Sequence, residues 1–344
     1  MNPFSLVANP SETLWRQAVD GFEHTVFTDD FSWKQVVEAT YGHQPFYYVI
    51  VKDSQPVGFF AAFLVHSPFF GKYLVTAPYG NNGGCYLPET EGAKELILET
   101  CRRIVIDYGL EFAELRNINP MQEDSLKPGP PYFNFIMELE ADPQAVMDKL
   151  RGATRRDIVK AQKSDFSIRV GKEHLPLLLE VLHKNMQRLG SPFHGLRYFD
   201  NILKFLESQV DIIVLLKRDL PVSGALLIAH KNMICNLYAA TLREYNCYAL
   251  NSLLYWEIIR YGCEKGFKYF EMGRSHLNQG TYDFKRRWGS KIIPLHYEYL
   301  LGKKKEIPYL NPANKKFRLA IAIWKKLPIP LTAFLGSRII GGIA

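Results

Sequence analysis

No two of the five cysteines (Cys85, Cys101, Cys235, Cys247, Cys263) form a Cys-x-x-Cys pair, and their number is odd. That excludes a zinc finger or a disulfide framework and predicts buried free thiols in a reducing compartment. No group of His, Asp or Glu has metal-ligand spacing, so no metal is expected. Gly-x-Ser-x-Gly does not occur, and the cysteines lack the flanks of known nucleophiles, which argues against covalent catalysis. No run approaches the roughly 20 apolar residues of a spanning helix. The first residues show no basic region followed by an apolar run, which predicts no signal peptide and a cytoplasmic protein.

What is present is an ordinary globular composition. The chain has 344 residues, 47% hydrophobic and 22% charged, enough for two domains or one large one. A net charge of +7 and a pI near 9.0 favour an anionic partner: phosphate, nucleic acid or an anionic membrane surface. No RRM-, KH- or OB-type signature supports a general RNA-binding module.

The most informative stretch runs from Gly273 to Gly289, between strand-like runs at 267–272 and 292–300. It holds Arg274, Lys285, Arg286 and Arg287 with one acid, Asp283, among hydroxyls and aromatics. A plain connection needs two to six turn-forming residues. Loops that carry charge and stacking groups on a rigid scaffold are where function concentrates. The alternative is a short helix, 281–288, with a solvated basic face.

Helices are expected from Ser11 and from Asp30, each with a cap and apolar residues three and four apart. Asp142-Pro143 opens another. Thr154 is placed to cap a helix carrying Arg155, Arg156, Lys160 and Lys163, which is either a phosphate-binding patch or a solvated face. Pro78-Tyr-Gly-Asn-Asn-Gly-Gly84 is either a redirecting turn or a nest of N–H groups for an anion. Gly109, Gly190 and Gly266 are placed to end helices.

Two regions repeat. Val49-Ile-Val-Lys-Asp-Ser-Gln-Pro-Val57 parallels Val214-Leu-Leu-Lys-Arg-Asp-Leu-Pro-Val222, with an offset of 165 between Lys52 and Lys217 and between Pro56 and Pro221. Further on, Tyr108-Gly-Leu-Glu-Phe-Ala-Glu-Leu115 parallels Lys265-Gly-Phe-Lys-Tyr-Phe-Glu-Met272. The chain therefore holds two copies of one α/β unit, joined near residues 140–150.

This order of elements resembles the GNAT acyltransferase fold present twice, as in the FemAB family. Three segments carry the likeness. Arg155-Arg-Asp-Ile-Val-Lys-Ala-Gln-Lys163 resembles the family's R-x-x-(I/V)-x-K-A, and Asn185-Met-Gln-Arg-Leu-Gly-Ser-Pro-Phe-His194 its N-M-x-x-L-G-(T/S)-P. Gly273-Arg-Ser with Gly280-Thr-Tyr-Asp-Phe-Lys-Arg-Arg-Trp-Gly289 resembles G-R-S…G-x-x-x-F-K-x-x-(W/F)-G. The branch found with exosortase (PEP-CTERM) and exopolysaccharide clusters is the nearest likeness, and it extends through Trp324-Lys-Lys-Leu-Pro328.

The resemblance implies a mixed α+β fold of two tandem GNAT-like domains, each a central, mostly antiparallel sheet flanked by helices. The expected division is 1–145, 146–310 with the main site, and a basic amphipathic tail, 311–344. It implies a transferase that moves an aminoacyl or acyl group onto an amine of a cell-envelope, exopolysaccharide or peptidoglycan-type precursor. The donor would be aminoacyl-tRNA or acyl-CoA, with no tightly bound cofactor. The glycine-rich pyrophosphate loop of ordinary GNAT enzymes is missing, and 242–250 contains no glycine. The charged helical arm of some Fem transferases is missing too.

Lys285 matches the family's functional lysine and is the expected oxyanion partner, with Asp283 and Tyr238 as further catalytic candidates. Arg155, Arg156, Lys160, Arg188, His194, Arg274, Ser275 and Trp288 are the expected substrate-binding residues. The expected partners are an anionic, phosphate-bearing or lipid-linked acceptor and charged tRNA, with the protein a monomer. Cations among aromatic and aliphatic residues in 312–344 fit either a tail lying on the inner membrane surface or a helix packed on the second domain. The rival reading is a non-catalytic module that binds lipid-linked sugar precursors at the membrane surface.

Overall fold

The computed structural model describes residues 3–88, 91–308 and 315–344. The start expected for the tail, at 311, lies outside the described residues. The first half runs β1 (Phe4–Ala8), α1 (Glu12–Asp20), α2 (Phe31–Tyr41), β2 (Gln44–Lys52), β3 (Gln55–Ser67), β4 (Gly71–Val75), β5 (Cys85–Tyr86), α3 (Glu91–Asp107), β6 (Phe112–Asn117), β7 (Lys127–Pro128) and β8 (Tyr132–Glu138). The second runs α4 (Pro143–Lys149), α5 (Gly152–Gln162), β9 (Ser167–Val170), α6 (Leu175–Leu189), α7 (Leu196–Phe205), β10 (Val210–Lys217), β11 (Leu220–His230), β12 (Met233–Thr241), α8 (Leu250–Glu264), β13 (Tyr269–Glu271), β14 (Ser275–His276), α9 (Gly280–Arg286) and β15 (Lys291–Leu301). Two helices follow, α10 (Lys315–Trp324) and α11 (Ile329–Ile340).

The helix caps follow the sequence. Ser11 Oγ accepts from the Leu14 N–H at 3.3 Å, Asp30 from Ser32 at 2.8 Å and Asp142 from Gln144 at 2.9 Å. Thr154 is a correction. The helix already begins at Gly152, so Thr154 sits inside it, and its hydroxyl lies 3.5 Å from the Arg287 carbonyl. The cysteine expectation is corrected in part. All five are free, but Cys85 is half-buried and Cys247 exposed.

The internal repeat extends to backbone detail. The β2–β3 hairpin turns at Asp53 and Ser54 with φ of 49° and 64°, and the β10–β11 hairpin at Arg218 and Asp219 with the same two values. Both central residues at positive φ make the turn that matches the twist of a hairpin. Each hairpin has its register shift in the corresponding place, at Ile50/Val51 and at Leu215/Leu216. Each half then has a parallel pair flanking its long helix: β4 with β6, and β12 with β13.

The two halves form one sheet in the order β1-β2-β3-β4-β6-β15-β8-β13-β12-β11-β10-β9. The halves interlock. β8, early in the chain, pairs with β13 of the second half, while β15, the last strand, pairs with β6 at 296–301 and with β8 at 291–295. A shared core also joins the halves. Trp15, Trp33, Phe59 and Phe63 pack in one cluster with Leu178, Tyr198, Phe199 and Ile228, all nearly fully buried. Burial of this kind contributes about 1.5–3 kcal/mol per large side chain, so the halves are not independently solvated.

Candidate active site

The site lies where strand pairing in the second half comes apart. β12 and β13 pair only through Met233–Cys235 and Tyr269–Glu271. On β12 a register shift leaves Leu237 between Asn236 and Tyr238 without a partner on β11. After Glu271 the chain leaves β12, and β14 pairs with β8 instead. Into this opening α9 delivers Lys285.

Lys285 is buried. Its Nζ donates to the carbonyls of Gly273 at 2.8 Å and Arg274 at 3.0 Å. An ammonium has three donors, so one N–H remains for a ligand. Burial pulls its pKa down to about 8, against the opposing pull of the Glu271 carboxylate and with a smaller push from Arg274. Gly273 has φ +79°, and a Cβ there would sit 3.7 Å from Lys285 Nζ, Asn81 Nδ2 and the Asn236 carbonyl. A residue free to adopt this conformation brings backbone and ammonium together.

Beside Lys285, Glu271 is fully hydrogen-bonded. Oε1 accepts from Asn81 Nδ2 and Asn134 Nδ2, both at 2.9 Å, and Oε2 from the Cys235 thiol at 3.2 Å. Asn81 comes from the first half, in the Pro78–Gly84 turn. That turn is not an open anion nest, which corrects one of the two expectations for it. The Gly80 N–H goes to the Ala77 carbonyl, Gly83 to Arg116 and Gly84 to the buried Asp29 carboxylate at 2.6 Å.

The same turn presents Tyr79 to a second group, the aromatic cluster Tyr41, His43, Tyr79, His194, Tyr198 and Tyr238. The His194 ring stacks on Tyr198 at 4.0 Å, and Tyr238 Oη lies 3.2 Å from Tyr198 Oη. Burial lowers the His194 pKa to about 3 and that of His43 to about 4, so both are neutral. Burial also raises the Tyr41 phenol, which keeps its proton, and Tyr41 Oη and His194 Nδ1 are hydrogen-bonded to each other.

The other expected residues are distributed as follows. Arg274 donates to Tyr297 Oη, and its guanidinium stacks 4.6 Å over the Tyr132 ring. Ser275 is buried with its hydroxyl unpartnered. Arg155, Arg156 and Lys160 are exposed on α5, whose other face packs on α8. Arg188 is exposed on α6 and donates to Asn185 Oδ1. Two candidates are corrected. Asp283 is exposed and pairs with Arg286 at 3.1 Å, and Trp288 is buried in the core against Tyr255 and Phe284. Asp283 is two residues from Lys285 on α9 and so faces away from it, while Trp288 lies past the end of that helix.

Sequence reasoning missed Glu271, Asn81, Asn134, Tyr41 and Tyr79 as site residues. The one available signal was the glutamate common to both copies of the repeat. The segment where a GNAT pyrophosphate loop would lie is a 3-10 helix, Arg243–Tyr248, before α8. Among the described residues no group of His, Cys, Asp or Glu could hold a metal.

Comparison with known proteins bears on the fold. Residues 148–286, which contain Lys285, match the GNAT acetyltransferase domain model. FemX superposes with a TM-score of 0.66 at 12% identity, over 87% of this chain and 98% of FemX. A tandem GNAT protein from the clavulanic acid biosynthesis pathway gives 0.57 at 11% identity, over 88% of this chain and 100% of its own. The C-terminal domain of a protein described as a lysylphosphatidylglycerol synthetase from Agrobacterium fabrum gives 0.55 at 13%, over 91% and 96%. Among curated proteins no sequence match is found. At these identities the structures establish the fold, and the FemAB-like double-GNAT resemblance holds at that level.

Proposed function

We propose that the protein transfers an aminoacyl or acyl group to the amine of an anionic cell-envelope or exopolysaccharide precursor, at the inner face of the cytoplasmic membrane. The observation that carries this reading is the buried Lys285 ammonium, held by two carbonyls with one N–H to spare, at the opened end of β12 and β13.

The acceptor amine attacks the donor carbonyl, forming the C–N bond. The oxyanion of the tetrahedral intermediate takes the remaining Lys285 N–H. A preorganised charged donor in a site of low dielectric lowers the barrier most where charge develops. Collapse breaks the bond to the tRNA oxygen or the CoA sulfur, and the proton released by the amine ends on that leaving group. The rest of the site supplies positioning. The neutral His194 ring and the Tyr238 hydroxyl are polar groups for the acceptor. The exposed cations of α5 suit phosphates of the donor or acceptor, since arginine binds them bidentately. A neighbour described as a lysylphosphatidylglycerol synthetase supports an envelope acceptor, and the sequence likeness to exosortase-associated proteins supports an exopolysaccharide one.

The donor is tested by titrating the pure protein with charged tRNAs, uncharged tRNAs and acyl-CoAs, followed by tryptophan fluorescence at several salt concentrations. Saturable binding of charged but not uncharged tRNA identifies an aminoacyl transferase. Saturable binding of one acyl-CoA identifies an acyl-CoA enzyme that lacks the usual loop. Binding of none contradicts the reading.

A further inference from the structure

We infer that α10 and α11 form a docking surface for an anionic lipid bilayer, fixed to the aromatic cluster around His194. Between Lys315 and Ala344 the sequence has six cations and no acid, so these residues carry nearly all of the net charge of +7. Such a segment is complementary to an anionic leaflet.

Several large apolar side chains here face outward. Of the fourteen large exposed hydrophobics among the described residues, four lie in these two helices. They are Leu319 (64% exposed), Ile323 (53%), Leu331 (41%) and Phe334 (55%). Leu319 and Ile323 are four apart and Leu331 and Phe334 three apart, so each pair shares one helix face. Arg318, Lys325, Lys326 and Arg338 are exposed around them, and the Arg338 guanidinium stacks 3.7 Å over Phe334. Apolar residues ringed by cations on helices too short to span are the pattern of an interfacial helix. No helix among the described residues is long and apolar enough to cross a membrane.

The inner faces are held in place. Gly190 closes on Ile321 and Lys325, Gly195 on Ser337, and Gly336 on the Phe193 backbone. Gln187 Nε2 donates to the Leu327 carbonyl between the two helices. The Gly341 carbonyl accepts from Tyr79 Oη at 2.9 Å and His43 Nε2 at 3.0 Å. Docking would therefore place the His194 cluster beside the bilayer. The use of that placement, reaching a lipid-linked amine, rests on the proposed function, whereas the lipid binding itself does not.

The test is sedimentation of the full chain with vesicles of phosphatidylcholine plus phosphatidylglycerol, and with vesicles of phosphatidylcholine alone. Binding is expected to the first only and to weaken with salt. Leu319→Asp with Ile323→Asp should abolish it. Lys325→Ala with Lys326→Ala should weaken it roughly thirty-fold. All four side chains are exposed, so circular dichroism should show unchanged melting. Arg156→Ala with Lys160→Ala on α5 should leave lipid binding intact. Equal binding to both vesicles, binding to neither, or loss through the α5 variant alone overturns the inference. So does a dimer that Phe334→Asp disperses in sedimentation velocity, which would make this face an interface between copies. Lipid binding that survives alongside absent transfer activity would count against the proposed function alone.

Discussion

Arg116 occupies in the first half the position that Gly273 occupies in the second. In both halves the parallel pair ends at a glutamate, Glu114 opposite Val75 and Glu271 opposite Cys235, and each position lies two residues further on. In the first half the Arg116 guanidinium fills the space, bonded to Glu114 at 2.8 Å and to the Ala77, Gly80 and Ala344 oxygens. In the second half glycine leaves the space open, and Lys285 enters it.

Arg116→Ala should therefore destabilise the protein without touching the chemistry. It strands the buried Glu114 carboxylate, and breaking a buried pair costs about 3–5 kcal/mol. Urea unfolding should show the loss, while turnover per folded molecule stays within about two-fold of wild type.

Gly273→Ala should do the opposite. A side chain at φ +79° costs about 1–2 kcal/mol. Relief of that strain moves the carbonyl that holds Lys285. Turnover should fall about ten-fold or more, since one ångström of misplacement is enough for that, with melting lowered by only a few degrees.

The pH profile follows from Lys285. Only the ammonium brings positive charge to the oxyanion, and its pKa is lowered to about 8, so activity should fall as pH rises through about 8. Glu271 raises that pKa, so Glu271→Gln should move the alkaline limb to lower pH. His194 and His43 are depressed to about 3 and about 4 and stay neutral above pH 5, so neither histidine should give a limb near 6.5. Rate measurements from pH 5 to 10 on both proteins check all three.

Trp288→Ala tests the reassignment of that residue to the core. Removal of a buried tryptophan costs about 3–5 kcal/mol, and chemical denaturation should show it. A substrate-contact role would instead raise KM at unchanged stability.

Much of the fold was legible because its signals are local. The 165-residue offset predicted a repeat that extends to matching turn angles and register shifts, and Ser11, Asp30, Asp142 and Gly190 mark helix ends by their own chemistry. The exchange of β8 and β15 across the seam left no local trace, since strand pairing between distant segments has no sequence period of its own. Phe4–Ala8 was missed because five residues at an edge show little alternation. Lys285 was legible through the family motif, but its environment was not. Asn81 lies 190 residues from the Glu271 it contacts, and only the interlocked sheet brings them together. Asp283 and Trp288 were misplaced because composition does not say which side of a short helix faces inward.

The central claim is tested most directly by transfer of a radiolabelled aminoacyl or acyl group to an amine-bearing envelope precursor, comparing wild type with Lys285→Ala. The account predicts product with wild type, and a loss of about 10²–10³-fold in turnover for the variant, with donor and acceptor binding retained. Undiminished transfer by a folded Lys285→Ala protein would contradict it.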